Sequence, residues 1–310
     1  MLKRSVTMRV SIFLVIAYGL AWIFALPLWL QDGLQNPLFG LIAGAIMFTP
    51  LISAVLISTL VEGRSIGSLL VFSGLRFSRP FKTTLLWSLG ALVGTEILVF
   101  SGVAIVVSLG ITRVDLVEFS GFAELLHEES PTKDLPAATL AIAQLAAIPV
   151  GAVFNCLLTV GEEVGWRGWL LPTLRPVGAI PALAVSSVVW GLWHAPLILL
   201  GYNFDQPNAL GLALMVGGCT FFGFLLGWLR LKSNSLWPPM IAHGAFNAAA
   251  GTLALIAAAG ETPDLVTAGP LGIVAWIPMA VTLVFLALIR QFRFTEHAGI
   301  DSHSFQKSGV

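Results

Sequence analysis

Eight apolar runs, at 10–30, 38–61, 83–110, 137–160, 180–200, 209–230, 236–259 and 269–289, divide this sequence. A helix needs about 20 apolar residues to cross the hydrocarbon core of a bilayer. Inside lipid the backbone must satisfy its own hydrogen bonds, which these runs achieve as helices. The pattern therefore predicts an all-α, polytopic membrane bundle of about eight transmembrane helices. Composition agrees, with 57% hydrophobic and 10% charged residues, where soluble domains carry roughly 25% charged. A net charge of zero gives no sign of a nucleic-acid partner. The largest polar break, Ile111 to Leu135, is too short for a separate soluble domain. The reading is one integral-membrane domain over 1–310, with 291–310 as a cytoplasmic tail.

Loop charge sets the orientation. Placing the N-terminus inside puts all but Arg113 and Lys133 of the 16 Lys and Arg on the inner side. An even span number then makes both termini cytoplasmic. The basic Met1–Arg9 segment precedes a run too long for a signal-peptide core, which reads as a retained first span. The stretch from Pro136 to Leu171 is too long for one ordinary span; it is either one long tilted helix or two helices broken near Pro149 or Gly161. Cys156 and Cys219 sit in apolar runs and read as packing residues. The G-x-x-x-G pairs Gly40/Gly44, Gly90/Gly94 and Gly223/Gly227 read as helix-packing positions.

The polar residues inside the runs need a reason. Glu162, Glu163 and Arg167 lie in a stretch, Val150 to Leu171, that otherwise reads as membrane-buried, and ionisable groups at bilayer depth point to function. On a helix Glu163 and Arg167, four apart, pair on one face. Glu162, rotated by about 100°, is left free for acid/base chemistry. His194 and His243 also fall inside runs, whereas His127, His297 and His303 read as solvated. His243 and Asn247 share a helix face, as do Trp190 and His194. At about 1.5 Å per residue, His243 lies roughly 10 Å and His194 roughly 20 Å from the inner ends of their spans, depths that suit one polar cavity opening toward the cytoplasm. Glu96, without an obvious partner, reads as structural.

A carboxylate and a histidine can deprotonate a bound water. A second histidine with an asparagine amide can donate to a developing oxyanion. Those are the parts of peptide hydrolysis. The same Glu and two His are also the donor types of a zinc site, here without the H-E-x-x-H spacing. Buried Glu, His and Arg equally make proton relays in carriers, though no inverted repeat is evident. A non-catalytic immunity or scaffold protein is a third reading.

Glu162-Glu163-x-x-x-Arg167, then aromatic-x-x-x-His ending at His194, then His243-x-x-x-Asn247, on successive spans, resemble the CPBP family. That family comprises type II CAAX prenyl endopeptidases and bacteriocin-processing or Abi-type relatives. The resemblance covers a catalytic core of about 140–255. It implies an intramembrane endopeptidase with a cytoplasm-facing cavity, cutting a hydrophobic or lipidated peptide in contact with membrane lipids, in a bacterial cell membrane. It implies Glu162 as the water-activating glutamate aided by His194, Glu163 and Arg167 as helix-holding residues, and His243 and Asn247 as the oxyanion site. Trp190, where the family usually has Phe, keeps an aromatic wall, and with Phe246 it is a candidate substrate contact. Members have been described both as metalloproteases and as metal-free. No cofactor is assigned; zinc on Glu162, His194 and His243 is the alternative.

Overall fold

The computed structural model describes residues 2–76, 79–129 and 136–294. Eight helices are long and apolar enough to cross a membrane. They are α1 (Val6–Leu30), α2 (Phe39–Val61), α3 (Phe81–Ser108), α4 (Ile148–Val177), α5 (Ala179–Ile198), α6 (Ala209–Ser233), α7 (Trp237–Ile256) and α8 (Leu265–Leu288). No β-strand occurs among the described residues; the one pairing is an isolated antiparallel bridge between Val114 and Ala257. The bundle turns large apolar side chains such as Leu41, Leu60, Leu157 and Leu288 outward, as lipid-facing residues of a multi-pass membrane protein do. Expectations for Lys133, His297, His303 and most of the 291–310 tail, and for the His127 side chain, fall outside the described residues.

Seven spans lie within a few residues of their expected places. The fourth does not. Residues 137–160 were expected to cross; instead Ala137–Ala146 is a separate short helix, and α4 begins anew at Ile148. Of the alternatives given above, the break near Pro149 is the one observed, and Pro149 explains it. It has no N–H to continue a helix and fits only its first turn. The restart carries α4 through Glu163 and into a π-helical segment, Val164–Leu170. Glu162 thus lies 14 residues, about 21 Å at 1.5 Å per residue, from the Ile148 end. The glutamate pair is mid-helix. Arg167, reckoned above as an inner-side cation, is also wholly buried within α4.

Glycines around the pair set how close its neighbours come. A Cβ on Gly161 would lie 2.5 Å from the Met47 carbonyl oxygen, and one on Gly165 would lie 2.3 Å from Pro50 Cβ. Bare backbone there lets α4 press against the kink of α2 at Thr49-Pro50. Of the three G-x-x-x-G pairs, only Gly223/Gly227 packs as expected. A Cβ at those sites would meet Ser187 and Leu183, whereas Gly40, Gly44, Gly90 and Gly94 have nothing within 4 Å.

The bundle has two chemically distinct ends. At one, Arg9 and Arg64 meet Glu62 at 2.6 and 3.4 Å, Arg230 donates to the Phe72 carbonyl, and Lys232 donates to the Arg293 carbonyl. At the other, Trp29 donates to the Pro196 carbonyl, Phe39 contacts Tyr202, and Arg113 pairs with Glu261 at 2.7 Å. Neighbouring helix ends alternate between these faces, as an antiparallel bundle of full spans requires.

Candidate active site

Glu162 and Glu163 both leave α4 toward the bundle interior, with 3% and 0% exposure, yet their surroundings differ. Glu163 Oε1 accepts from Arg167 Nη1 at 2.8 Å, the i,i+4 pair read from the sequence, and from His243 Nδ1 at 3.0 Å. Glu163 Oε2 and Arg167 Nε and Nη2 are buried without a hydrogen-bond partner. Arg167 also lies over the Trp190 ring at 4.1 Å, a cation–π contact of the kind favoured where water is excluded. Glu162 has no arginine. Its Oε2 accepts instead from the Trp190 indole N–H at 2.7 Å, and the residue faces a cavity of about 420 Å³.

His194 is held by a local break in α5. The helix stops at Trp193 ahead of Pro196, which cannot donate a backbone hydrogen bond. The His194 N–H turns to the Gly191 carbonyl at 3.3 Å, while its ring Nδ1 meets the Trp190 carbonyl at 2.9 Å. A carbonyl only accepts, so Nδ1 carries the proton and Nε2 keeps its lone pair. The same logic applies to His243, whose Nδ1 faces a carboxylate already bound by arginine.

The cavity brings together Glu162, His194, His243 and Asn247, with Trp190 and Phe246 in its wall. Glu163 and Arg167 stand behind that wall as a buried support. Asn247 is exposed to the cavity. His243 lines the cavity with its Nδ1 engaged by Glu163 at 3.0 Å, and a neutral ring so held carries no second N–H. Trp190 exceeds its expected part. It is wall, hydrogen-bond donor to Glu162, seat for Arg167 and anchor for His194.

The sequence reading missed three polar cavity residues, Asn155, Tyr202 and Asn203. Asn155 was within reach, since it precedes Glu162 by seven residues and so shares its helix face. Tyr202 and Asn203 sit on the connection after α5 and carried no spacing signal. Burial, and then the nearby Glu162 charge, raises the Tyr202 hydroxyl above the usual tyrosine range. Glu96 lies on α3, away from the cavity, with Oε1 buried and unpartnered.

A zinc ion would be held by Glu162, His194 and His243. The Nδ1 bonds of both imidazoles are those that metal-bound histidines make with their surroundings. The positions do not follow suit: no group of three His, Cys, Asp or Glu side chains comes within reach of one ion among the described residues, and Glu162 Oε2 is committed to Trp190. As arranged, the donor set does not fit a zinc centre.

Residues 142–249, which hold all of these catalytic candidates, match the protein family described as type II CAAX prenyl endopeptidase Rce1-like. The matched stretch covers about a third of the chain, from just before α4 into α7, and a type II CAAX prenyl endopeptidase domain is what these spans are similar to. No curated protein matches the chain.

Proposed function

We propose that the protein is an intramembrane endopeptidase that hydrolyses peptide bonds in membrane-associated or hydrophobic peptides, using a water activated by Glu162. Glu162 Oε1, the oxygen not held by Trp190, takes the proton as the water oxygen bonds to the scissile carbonyl carbon. The Nε2 lone pair of His194 accepts a hydrogen bond from that water and fixes its approach. The Asn247 amide donates to the carbonyl oxygen as it becomes an oxyanion. His243, anchored through Nδ1 to Glu163, lines the same cavity as Asn247. The proton on Glu162 then passes to the departing nitrogen as the C–N bond breaks, leaving a carboxylic acid and an amine. Glu163, Arg167 and Trp190 act through position.

The observation that carries this reading is the convergence of Glu162, His194, His243 and Asn247 on one cavity, within the stretch that matches the protease family. The family description points to prenylated peptides as one substrate class; the apolar wall suits any hydrophobic segment. The bias of Lys and Arg supports cytoplasmic chain ends, in what we take to be a bacterial cell membrane. Comparison of peptide termini in membranes bearing the wild type or Glu162→Ala tests the proposal. Termini present with the wild type and absent with the variant support it; identical sets of termini refute it. Zinc analysis of active, purified protein addresses the ion directly, and full activity without bound zinc agrees with the glutamate mechanism.

A further inference from the structure

Taken outward from Glu162, the cavity wall runs toward one end of the bundle. On α4 the lining residues Asn155 and Leu158 precede Glu162, and none follows it. On α2 the wall is the first stretch, Phe39 to Met47; on α5 it includes Pro196 and Leu197, near the helix end. The connection Tyr202–Phe204, residues 215–222 up to the middle of α6, residues 243–250 from near the middle of α7 onward, and the early α8 residues Pro270 and Leu271 complete it. From the glutamates outward, these positions lie toward the face that holds Trp29–Pro196 and Arg113–Glu261.

The opposite direction is closed. Trp166, Trp169, Leu170 and Leu171 follow the glutamates on α4 and are fully buried. Trp169 stacks on Phe13 at 4.7 Å and donates to Glu62 at 3.3 Å, so the plug ends in the cluster of Arg9, Glu62 and Arg64. Around that end lie Arg76, Arg79, Lys82, Arg175, Arg230 and Lys232. The mouth face instead carries Asp32, Asp115, Glu118, Asp205, Glu261 and Asp264, with Arg113 its sole basic residue among those described.

The N-terminal end of α1 and the cavity mouth therefore lie on opposite faces. The expected cytoplasmic termini and the expected cytoplasm-facing cavity are mutually exclusive in this fold. Basic residues near span ends are retained on the cytoplasmic side, and here they gather at the sealed end.

We infer that the cavity opens on the extracytoplasmic face, so that the peptide cut is a segment of an exported or membrane-inserted chain, presented from outside, rather than a cytoplasmic tail. The inference rests on the protease reading of the site. Its geometry sets the reach. Met47 abuts Gly161 beside the glutamates, and Phe39 at the mouth is eight residues earlier, about 12 Å away. About four residues of extended chain cover that distance at roughly 3.3 Å each. Gly40 and Gly44 line this path with nothing within 4 Å, which leaves room for such a chain beside α2.

Single cysteines in a full-length Cys156→Ala, Cys219→Ala background, probed in intact bacterial spheroplasts with a membrane-impermeant maleimide, test the inference. Gln35→Cys and Pro207→Cys report the mouth face at two independent positions, and Ser65→Cys reports the basic face. Labelling of Gln35→Cys and Pro207→Cys in intact cells, with Ser65→Cys labelled only after permeabilisation, is the result expected. The reverse pattern, or equal labelling of both faces in intact cells, overturns it. Labelling needs no turnover, so its failure leaves the protease reading standing, and loss of that reading leaves the orientation standing.

Discussion

The Trp190 indole N–H donates to Glu162 Oε2 at 2.7 Å, so one oxygen of the carboxylate is fixed and the other is left for a water. A hydrogen bond to a charged group contributes about 1.5–3 kcal/mol. Trp190→Phe keeps an aromatic ring in the wall and beneath Arg167 and removes the donor to Glu162. We expect kcat to fall roughly 10- to 100-fold with KM little changed. A Trp190→Phe enzyme with wild-type kcat shows the bond to be idle.

Glu163 satisfies Arg167 and His243 with a single oxygen. Glu163→Gln leaves a guanidinium buried without its counter-charge, a change that costs about 3–5 kcal/mol. Thermal unfolding in detergent should show a large loss of stability together with loss of activity. Adding Arg167→Met should recover part of the stability and none of the activity. If Glu163→Gln melts like the wild type, the ion pair is not what holds α4.

How much of this was legible from the residues alone depended on whether neighbours in sequence or neighbours in space decided the matter. Span number, and the Glu163–Arg167 pair at i,i+4, are local consequences of apolar length and helical pitch. The break before α4 falls near Pro149, one of the two positions the residues offered for it. Apolar content alone could not choose between them or against one long helix, because the hydrophobic pattern is unbroken on both sides. The His243–Glu163 bond spans 80 residues, and no periodicity encodes it. Trp190 could be placed on a face with His194, but its bond to Glu162 required α4 and α5 to be docked. The direction of the cavity is likewise a property of docking, since depth within each span says nothing about which side is plugged.

Gly223 and Gly90 give opposite expectations for the same substitution. A Cβ at Gly223 would lie 2.5 Å from Ser187 Oγ and 3.1 Å from Arg167 Nη2. Gly223→Ala should therefore destabilise by about 1–3 kcal/mol, as overpacking does, and disturb the ion pair. Gly90 has open space around it, so Gly90→Ala should be neutral or slightly stabilising through helix propensity. Melting temperatures of the two variants, measured side by side, check the contrast; equal losses contradict the packing assigned to α6.

Filling the path along α2 should block substrate without harming the fold. Gly44→Leu places a side chain in open space on the cavity wall. A fall in kcat/KM for long peptides, with unchanged thermal stability, is the outcome expected. Undiminished kcat/KM would remove α2 from the substrate path.

The loop before the Ser120–Glu129 helix is pinned by Asp115, whose carboxylate accepts from the backbone N–H groups of Val117, Glu118 and Ser120. These bonds hold its pKa down, at about 2, below the ordinary value of roughly 3.9. Because the folded-state pKa is depressed, this contribution is fully present above the ordinary value and fades as pH falls toward 2. Hydrogen exchange at the amides of Val117 and Glu118 should stay slow down to about pH 4, after correction for intrinsic rates, and lose protection below it. Protection unchanged at pH 2 speaks against the carboxylate as the anchor.

The proposed hydrolysis depends on Glu162 as the base. Glu162→Gln retains a side-chain oxygen for the Trp190 N–H and removes the ability to take a proton, so it isolates chemistry from structure. Peptide cleavage by the purified wild type and Glu162→Gln proteins, reconstituted in liposomes at matched amounts, measures this directly. We predict wild-type thermal stability and a loss of kcat of at least about 100-fold, the lower range of general-base catalysis; a Glu162→Gln protein that cleaves at the wild-type rate contradicts the mechanism outright.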